Sequence, residues 1–341
     1  MSDRTIPPIL LQSSPHISSP INTKMMMGTM LLALAPVSLF GVFIFGLKAL
    51  LNIITAAAAA IAAEFLFRLL IKKPVRVNDL SAGVTGVLLA LTLPPTTPLW
   101  MTALGAVVAI VVAKEFFGGL GANIFNPALI GRAFLVMSFP TLNTWRLPVL
   151  PIPKAFIADV VTGATPLGIT KAGAAISEVG ASLVQAGLSS SASYWQTIKS
   201  LFFGFNAGCI GETSAFLILA SFLVLLVTKV IDWRAPVSMI AASFICALIF
   251  WQDASIALYH LLTGGLIFGA VFMVTDYVTS PVTPKGKIFF GAGIGVIVML
   301  IRRFGIYPEG VCFSILIMNA AVPFLNKLLP KKYGFVKKAK K

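Results

Sequence analysis

Seven consecutive residues, Asp159-Val160-Val161-Thr162-Gly163-Ala164-Thr165, bring together a carboxylate, two hydroxyls and two very small side chains, and Pro166 follows them. The Gly163-Ala164 pair lets a bulky group approach the backbone closely. Thr165 offers a hydroxyl able to accept a phosphoester, and Pro166 biases it away from helical backbone. Asp159 is the residue an attaching enzyme would read. The same residue types are also ordinary loop punctuation, so the surroundings must decide between a modification site and a plain polar turn.

The string matches the pattern D-x-x-[S/T]-G-A-[T/S], at which flavin transferases attach FMN. That match predicts FMN joined through its phosphate to Thr165, with Asp159, Thr162, Gly163 and Ala164 completing the attachment motif. A motif needs structural context before it carries weight. Here the context is a membrane: 58% of residues are hydrophobic and only 11% charged, well outside the composition of soluble domains.

Apolar runs near the ~20-residue length that crosses the hydrocarbon layer as helix predict an all-α polytopic membrane protein. About ten spans are expected, at 27–47, 49–71, 80–95, 98–116, 123–139, 211–231, 236–251, 256–275, 288–301 and 310–328. The third, fifth, seventh and ninth are short, with Gly and Pro content such as Pro94-Pro95, Pro127 and Gly291, Gly293 and Gly295. Such residues suggest broken or tilted helices, tolerated at membrane depth only where protein or a cavity satisfies the freed backbone groups.

Excess Lys and Arg stays in the cytoplasm. With both termini there, eighteen Lys and Arg fall inside and seven outside, the outer set including Lys171, Arg302 and Arg303. The organisation expected is a cytoplasmic tail (1–26), five helices (27–139), an outer loop bearing Thr165 (140–210), five more helices (211–328) and a basic cytoplasmic tail (329–341). Residues 1–26 lack the ordered basic, apolar and small-residue regions of a signal peptide. The net charge of +15 is concentrated in the lysine-rich tail, which fits a topology signal and contact with anionic lipid; no readout motif points to nucleic acid. Cys209, Cys246 and Cys312 form no C-x-x-C pair, so no metal centre built by this chain alone is expected.

A weak internal copy is visible. Ser81-Ala82-Gly83 leads to Thr96-Thr97-Pro98 as Thr263-Gly264-Gly265 leads to Thr279-Ser280-Pro281, and Phe117-Gly118 corresponds to Phe304-Gly305. Five spans per half would place the copies in opposite orientation, with a site expected at their interface near interrupted helices.

Taken together, the chain resembles the RnfD component of the Rnf complex, the ion-translocating ferredoxin:NAD oxidoreductase, and the related NqrB component of the sodium-pumping NADH:quinone oxidoreductase. The resemblance rests on Ser14-Pro15-His16, Gly118-Gly119-Leu120-Gly121, Asn123-Ile124-Phe125-Asn126-Pro127, Gly131-Arg132-Ala133-Phe134, Gly211-Glu212-Thr213-Ser214, Thr275-Asp276-Tyr277-Val278-Thr279-Ser280-Pro281 and Tyr307-Pro308-Glu309-Gly310. The quinone-reductase component usually has a longer amino-terminal region, so the Rnf component is preferred. The resemblance implies two inverted five-helix repeats similar to urea transporters, in a bacterial or archaeal cell membrane. It also implies electron transfer from ferredoxin to NAD coupled to movement of Na+ or H+, and a covalent FMN relay. Partners would be iron–sulfur subunits, a second covalent-FMN subunit and a flavin transferase, and a noncovalent riboflavin is a further implied cofactor. The competing readings are a small-solute channel of the same fold and a structural anchor with a vestigial motif.

Charged residues within spans are functional candidates by default. Glu64 and Arg68, four apart, would face one another and neutralise. Arg132 would hold a flavin phosphate or cap broken-helix carbonyls. Glu212 would anchor a helix start or contact an ion. Asp276, with Thr275, Thr279 and Ser280, would contact an ion or flavin or simply form a polar helix end. Glu309 carries the same alternatives, and Asp253 reads as an outer-loop charge.

Overall fold

The structure, a computed structural model, describes residues 22–74, 77–139, 165–173, 175–185, 191 and 193–327. Among these residues the regular structure is entirely helical. The first group comprises α1 (Thr23–Phe45), α2 (Leu47–Leu70), α3 (Ser81–Leu91), α4 (Leu99–Ile110), prolonged by a π-helical turn over Val111–Glu115, and α5 (Pro127–Ser138). Three short helices follow, α6 (Pro166–Lys171), α7 (Ile176–Gln185) and α8 (Tyr194–Phe203). The second group is α9 (Ala215–Val227), α10 (Arg234–Trp251), α11 (Ala254–Leu262), α12 (Leu266–Phe268, continued as π-helix by Gly269–Met273), α13 (Pro284–Phe304) and α14 (Val311–Leu325).

By length and composition α1, α2, α10 and α13 can each cross a membrane, and α11 with α12 adds a fifth span if that pair, bent by 64°, is taken as one. Their outward faces are apolar: Leu32, Leu39, Leu70 and Ile249 are exposed. Continuous apolar surface of this extent is unfavourable against water and is what helices in lipid present. The chain is a helical membrane protein.

Small residues let helices approach closely where lipid supplies no hydrophobic drive for association. Ala56, Ala60 and Ala63 form a buried stripe on α2 facing α3. On α13, a Cβ added at Gly291 would lie 2.2 Å from the Ala235 carbonyl oxygen, and one at Gly295 would lie 2.5 Å from that of Met239. The glycines expected to break the ninth span therefore do the opposite. α13 runs unbroken through them, because their missing side chains let α10 lie flat against it.

The chain is non-helical at 92–98, around Pro94-Pro95, and at 116–126, up to Pro127, as the prolines predict; the other interruptions fall where none is expected. The eighth predicted span, read as one run over 256–275, is the one that bends, at Thr263-Gly264-Gly265 between α11 and α12. The sixth begins late: residues 204–213 run non-helically and largely buried before α9. That backbone is satisfied by the end of α3, since Ile210 N–H donates to Leu93 O at 3.1 Å and Gly211 N–H to Leu91 O at 2.8 Å. Asn52 on α2 does the same for the α3–α4 link, its amide nitrogen donating to Thr97 O at 3.2 Å while its oxygen accepts from Thr102 Oγ1 at 2.6 Å. Irregular backbone at membrane depth survives only when so partnered.

The two groups meet at two helix pairs among others. α1 packs on α9, where Ser221 Oγ donates to Ala33 O at 2.8 Å, and α5 packs on α14. Asn126 caps α5 by accepting from Ala128 N–H at 3.1 Å and reaches across to donate to Met273 O at 3.4 Å.

Candidate functional site

Asp159, Thr162, Gly163 and Ala164 lie outside the described residues. Thr165 is described, and it sits immediately before α6 as its N-cap, in extended backbone. Its Oγ1 accepts from Gly168 N–H at 3.1 Å. Pro166 at the first helical position has no N–H to leave unsatisfied. The proline thus keeps Thr165 out of the helix, as its sequence position predicts, while starting a helix of its own. A Cβ at position 168 would come within 3.2 Å of Thr165 Oγ1, so glycine there keeps the hydroxyl's surroundings open.

α6 is tied to the second group of helices. Tyr259 Oη donates to Pro166 O at 2.8 Å, and Lys171 Nζ reaches the carbonyls of Ile301, Arg302 and Tyr307 at 3.3, 3.3 and 2.9 Å. A cation on those carbonyls suits the negative end of the α13 dipole.

Thr165 opens on a small cavity lined by Asn206, Gly208, Glu212, Gly264 and Glu309 among others. Asn206 Oδ1 is buried there without a hydrogen-bond partner. The free volume of about 30 Å³ suits about one water molecule and is far too small for a flavin ring. A group joined to Thr165 would have to extend away from this cavity, with the Thr165 oxygen still accepting from Gly168.

Behind the cavity lies a buried charge cluster assembled from distant parts of the chain. Arg132 on α5 pairs with Glu309 at 2.5 Å and with Glu212 at 3.4 Å, and its Nη2 is 3.7 Å from Cys209 Sγ. Glu309 Oε1 also accepts from Gly265 N–H at 2.7 Å, at the break between α11 and α12. A Cβ at Gly265 would sit 2.6 Å from Glu212 and 2.7 Å from Glu309, so only glycine admits both carboxylates. Each of the three charged residues is a candidate from sequence; the fold joins them. Arg132 is engaged by carboxylates rather than by helix carbonyls. Glu212 is not a helix cap, since Ser214 takes that part for α9 by accepting from Leu217 N–H at 3.3 Å.

A second cluster lies at the far ends of α2 and α4. Glu64 and Arg68 pair at 3.4 Å as their spacing predicts, but they do not form a closed pair: Lys114 Nζ lies 3.0 Å from Glu64, and Arg68 Nη2 lies 2.9 Å from Glu115. Lys114 also donates to Ser81 Oγ at 2.7 Å. The π-helical turn over Val111–Glu115 turns both Lys114 and Glu115 inward, a backbone feature often found at functional positions. Sequence reasoning singles out neither Lys114 nor Glu115; both are buried.

Arg302 is another correction. Counted with the outer-loop charges, it is instead only 4% exposed, and its two terminal nitrogens donate to His260 O and to Thr263 O, the latter at 3.0 Å. Asp276 accepts from Thr279 Oγ1 at 2.8 Å and lines, with Asn123, Asn126, Lys114 and Ser81, a cavity between the two groups of helices. Asp253 caps α11 by accepting from Ser255 N–H at 2.7 Å.

The chain matches the NQR2, RnfD, RnfE family over residues 10–334. It is 42% identical over 330 residues to the D component of the proton-translocating ferredoxin:NAD(+) oxidoreductase complex of Clostridium ljungdahlii, covering 95% of this chain and 96% of that one. To the D component of the Na(+)-translocating ferredoxin:NAD(+) oxidoreductase complex of Acetobacterium woodii it is 40% identical over 337 residues, covering 98% and 97%. The D component of the ion-translocating oxidoreductase complex of Stutzerimonas stutzeri is 35% identical over 325 residues, with 89% and 90% covered.

Proposed function

The chain belongs to the NQR2, RnfD, RnfE family, and from that premise we propose that it is the RnfD component of an ion-translocating ferredoxin:NAD oxidoreductase complex, with FMN joined covalently to Thr165. The observation that carries the flavin reading is the setting of Thr165. It ends a flavin-attachment motif in sequence, lies outside any helix, and presents a hydroxyl that accepts a hydrogen bond from Gly168. That arrangement leaves the oxygen able to carry a phosphoester.

The membrane architecture proposed is ten spans in two inverted five-helix repeats, urea-transporter-like, with both termini cytoplasmic and Thr165 on the outer face. The contacts of α1 with α9 and of α5 with α14 support it, because these are equivalent helices under the repeat. So does a chemical parallel. Lys114, at the end of α4, binds Ser81 at the start of α3, and Arg302, at the end of α13, binds Thr263 just before α12.

When bound, the flavin supplies the electron chemistry. The residues of this chain fix its attachment point through α6, Tyr259 and Lys171, and keep a buried arginine–carboxylate cluster beside it. Partners in this reading are iron–sulfur subunits, a second covalent-FMN subunit and the flavin transferase that loads Thr165. A riboflavin held noncovalently would be a further cofactor. The named relatives differ in their ion, H+ in one and Na+ in another, so the reading specifies coupling to an ion without choosing between them.

The test is denaturing gel electrophoresis viewed under ultraviolet light, on chain made in cells containing the transferase. A yellow fluorescent band is expected from the native sequence and none from Thr165→Val, with both inserted equally in the membrane. A dark native band, or fluorescence retained by the variant, would overturn the assignment.

A further inference from the structure

Glu212 and Glu309 converge on one arginine. Arg132 pairs with Glu309 at 2.5 Å and with Glu212 at 3.4 Å, and the two carboxyl groups also lie within hydrogen-bond reach of one another. A Cβ at Gly265 would meet an oxygen of each, at 2.6 and 2.7 Å. An ionised carboxylate can only accept a hydrogen bond. Two such groups sharing a buried site repel, and the repulsion is relieved when one of them takes up a proton.

The surroundings indicate which one. Glu309 has the shorter contact with Arg132 and accepts from Gly265 N–H at 2.7 Å, and both interactions favour a charged carboxylate. Glu212 has the longer arginine contact and the Cys209 thiol, and its side chain is 5% exposed against 19% for Glu309. The other titratable groups facing it leave that balance in place. Arg302, on α13, gives its terminal nitrogens to the carbonyls of His260 and Thr263. The Cys312 thiol, on α14, donates to Leu129 O at 3.4 Å. Asn206 supplies an independent sign: it lines the same small cavity as Glu212, is itself buried, and its Oδ1 has no donor. The Asn206 amide nitrogen and the Glu212 carboxyl both lie 3.9 Å from a Cβ added at Gly208, so an O–H on Glu212 would bring a donor to an acceptor-rich lining.

We propose that Glu212 and Glu309 hold one exchangeable proton between them, with Glu212 as the O–H donor to an ionised Glu309. Glu309 lines both the cavity at Thr165 and a second one, of about 60 Å³, walled by Thr92, Arg132, Cys312 and Phe313 among others. The enclosed donor thus has a partner that faces polar space on two sides, and the second cavity has room for water. Transfer from Glu212 to Glu309 keeps the pair at one negative charge. Departure of the proton from Glu309 to water leaves the pair doubly charged beside Arg132 until another proton returns. The inference goes beyond the flavin reading and does not depend on it.

The test is infrared spectroscopy of the full chain at neutral pH. Labelling with carbon-13 glutamate separates the carbonyl bands of protonated glutamic acid from those of aspartic acid and flavin. One such band is expected to disappear in Glu212→Gln, and in the native folded chain it should shift on transfer to D2O. Glu309→Gln should remove the same band, because Glu212 left alone with Arg132 ionises; a carboxylic acid kept neutral by burial alone would retain it. The amide of Glu212→Gln stands in for the protonated carboxyl, so that variant should match the native unfolding temperature. A spectrum unchanged by Glu212→Gln, a band that persists in Glu309→Gln, or a band that does not shift in D2O while the chain is folded would each overturn the proposal. So would a Glu212→Gln chain too unstable to purify. The measurement needs no flavin, so its outcome stands apart from that of Thr165→Val.

Discussion

Removing the positive charge from the Arg132 cluster gives the sharpest test of how the two groups of helices are held. Arg132 is the cation that the structure pairs with both Glu309 and Glu212, at 2.5 and 3.4 Å. Arg132→Met leaves two carboxylates buried without it. Glu309 keeps another donor, the Gly265 N–H at 2.7 Å. Breaking a buried ion pair by deleting one partner costs ~3–5 kcal/mol, much of it from the stranded charge. At roughly 2 °C per kcal/mol for a chain of this size, thermal unfolding of the detergent-solubilised protein should fall by roughly 6–10 °C. Deleting all three charges is a different perturbation, since replacing a whole buried ion cluster by neutral groups is often close to neutral in stability. The triple variant Arg132→Met, Glu212→Gln, Glu309→Gln should therefore recover most of the loss. A shift below ~2 °C for the single variant, or a triple variant less stable than the single, would refute the view that the three residues act as one buried unit.

At the other cluster, Lys114→Met leaves the fully buried Glu64 with only its 3.4 Å contact to Arg68 and should cost up to ~3 kcal/mol, the low end for breaking a buried pair; adding Glu64→Gln should restore part of it in the same unfolding assay. Thr165→Ser should keep covalent flavin fluorescence on denaturing gels where Thr165→Val loses it. Gly291→Val drives a side chain into the Ala235 carbonyl, 2.2 Å from the added Cβ. It should exceed the ~1–3 kcal/mol usual for overpacking, seen as lost membrane-inserted yield. In the loop between α9 and α10, burial acts to raise the Asp232 carboxyl, but the Arg234 N–H and the Lys287 ammonium outweigh it and hold it below its usual value. Its folded-state preference for the charged form contributes stability that is fully present above the ordinary carboxylate range and is lost as pH falls below it, through the lowered folded-state value. Asp232→Asn should accordingly flatten the acid limb of a stability–pH profile, by no more than ~1 kcal/mol for so exposed a pair.

The long spans were legible because length and apolarity are local properties: α1, α2, α10 and α13 all overlap predicted runs to within four residues at each end. Breaks were legible less well, since the same residue type has opposite uses. Glycines at 291 and 295 close a helix crossing, whereas Gly264-Gly265 open a bend. For the charges, Glu64 and Arg68 announced each other through helical spacing, but Lys114 and Glu115 join them from 47 to 50 residues away. The same holds at the other cluster, where Arg132 meets partners 80 and 177 residues distant. Each of these residues could be flagged alone, as a costly charge in an apolar run. Their convergence depends on helix packing, which no local pattern records.

The fastening of α6 has a consequence for whatever Thr165 carries. Tyr259 and Lys171 bind this short helix to α11 and to the end of α13, which belong to one half of the molecule. A group joined at Thr165 would therefore have its attachment point set by the ends of α11 and α13, so substitutions there, far from residue 165 in sequence, would displace it.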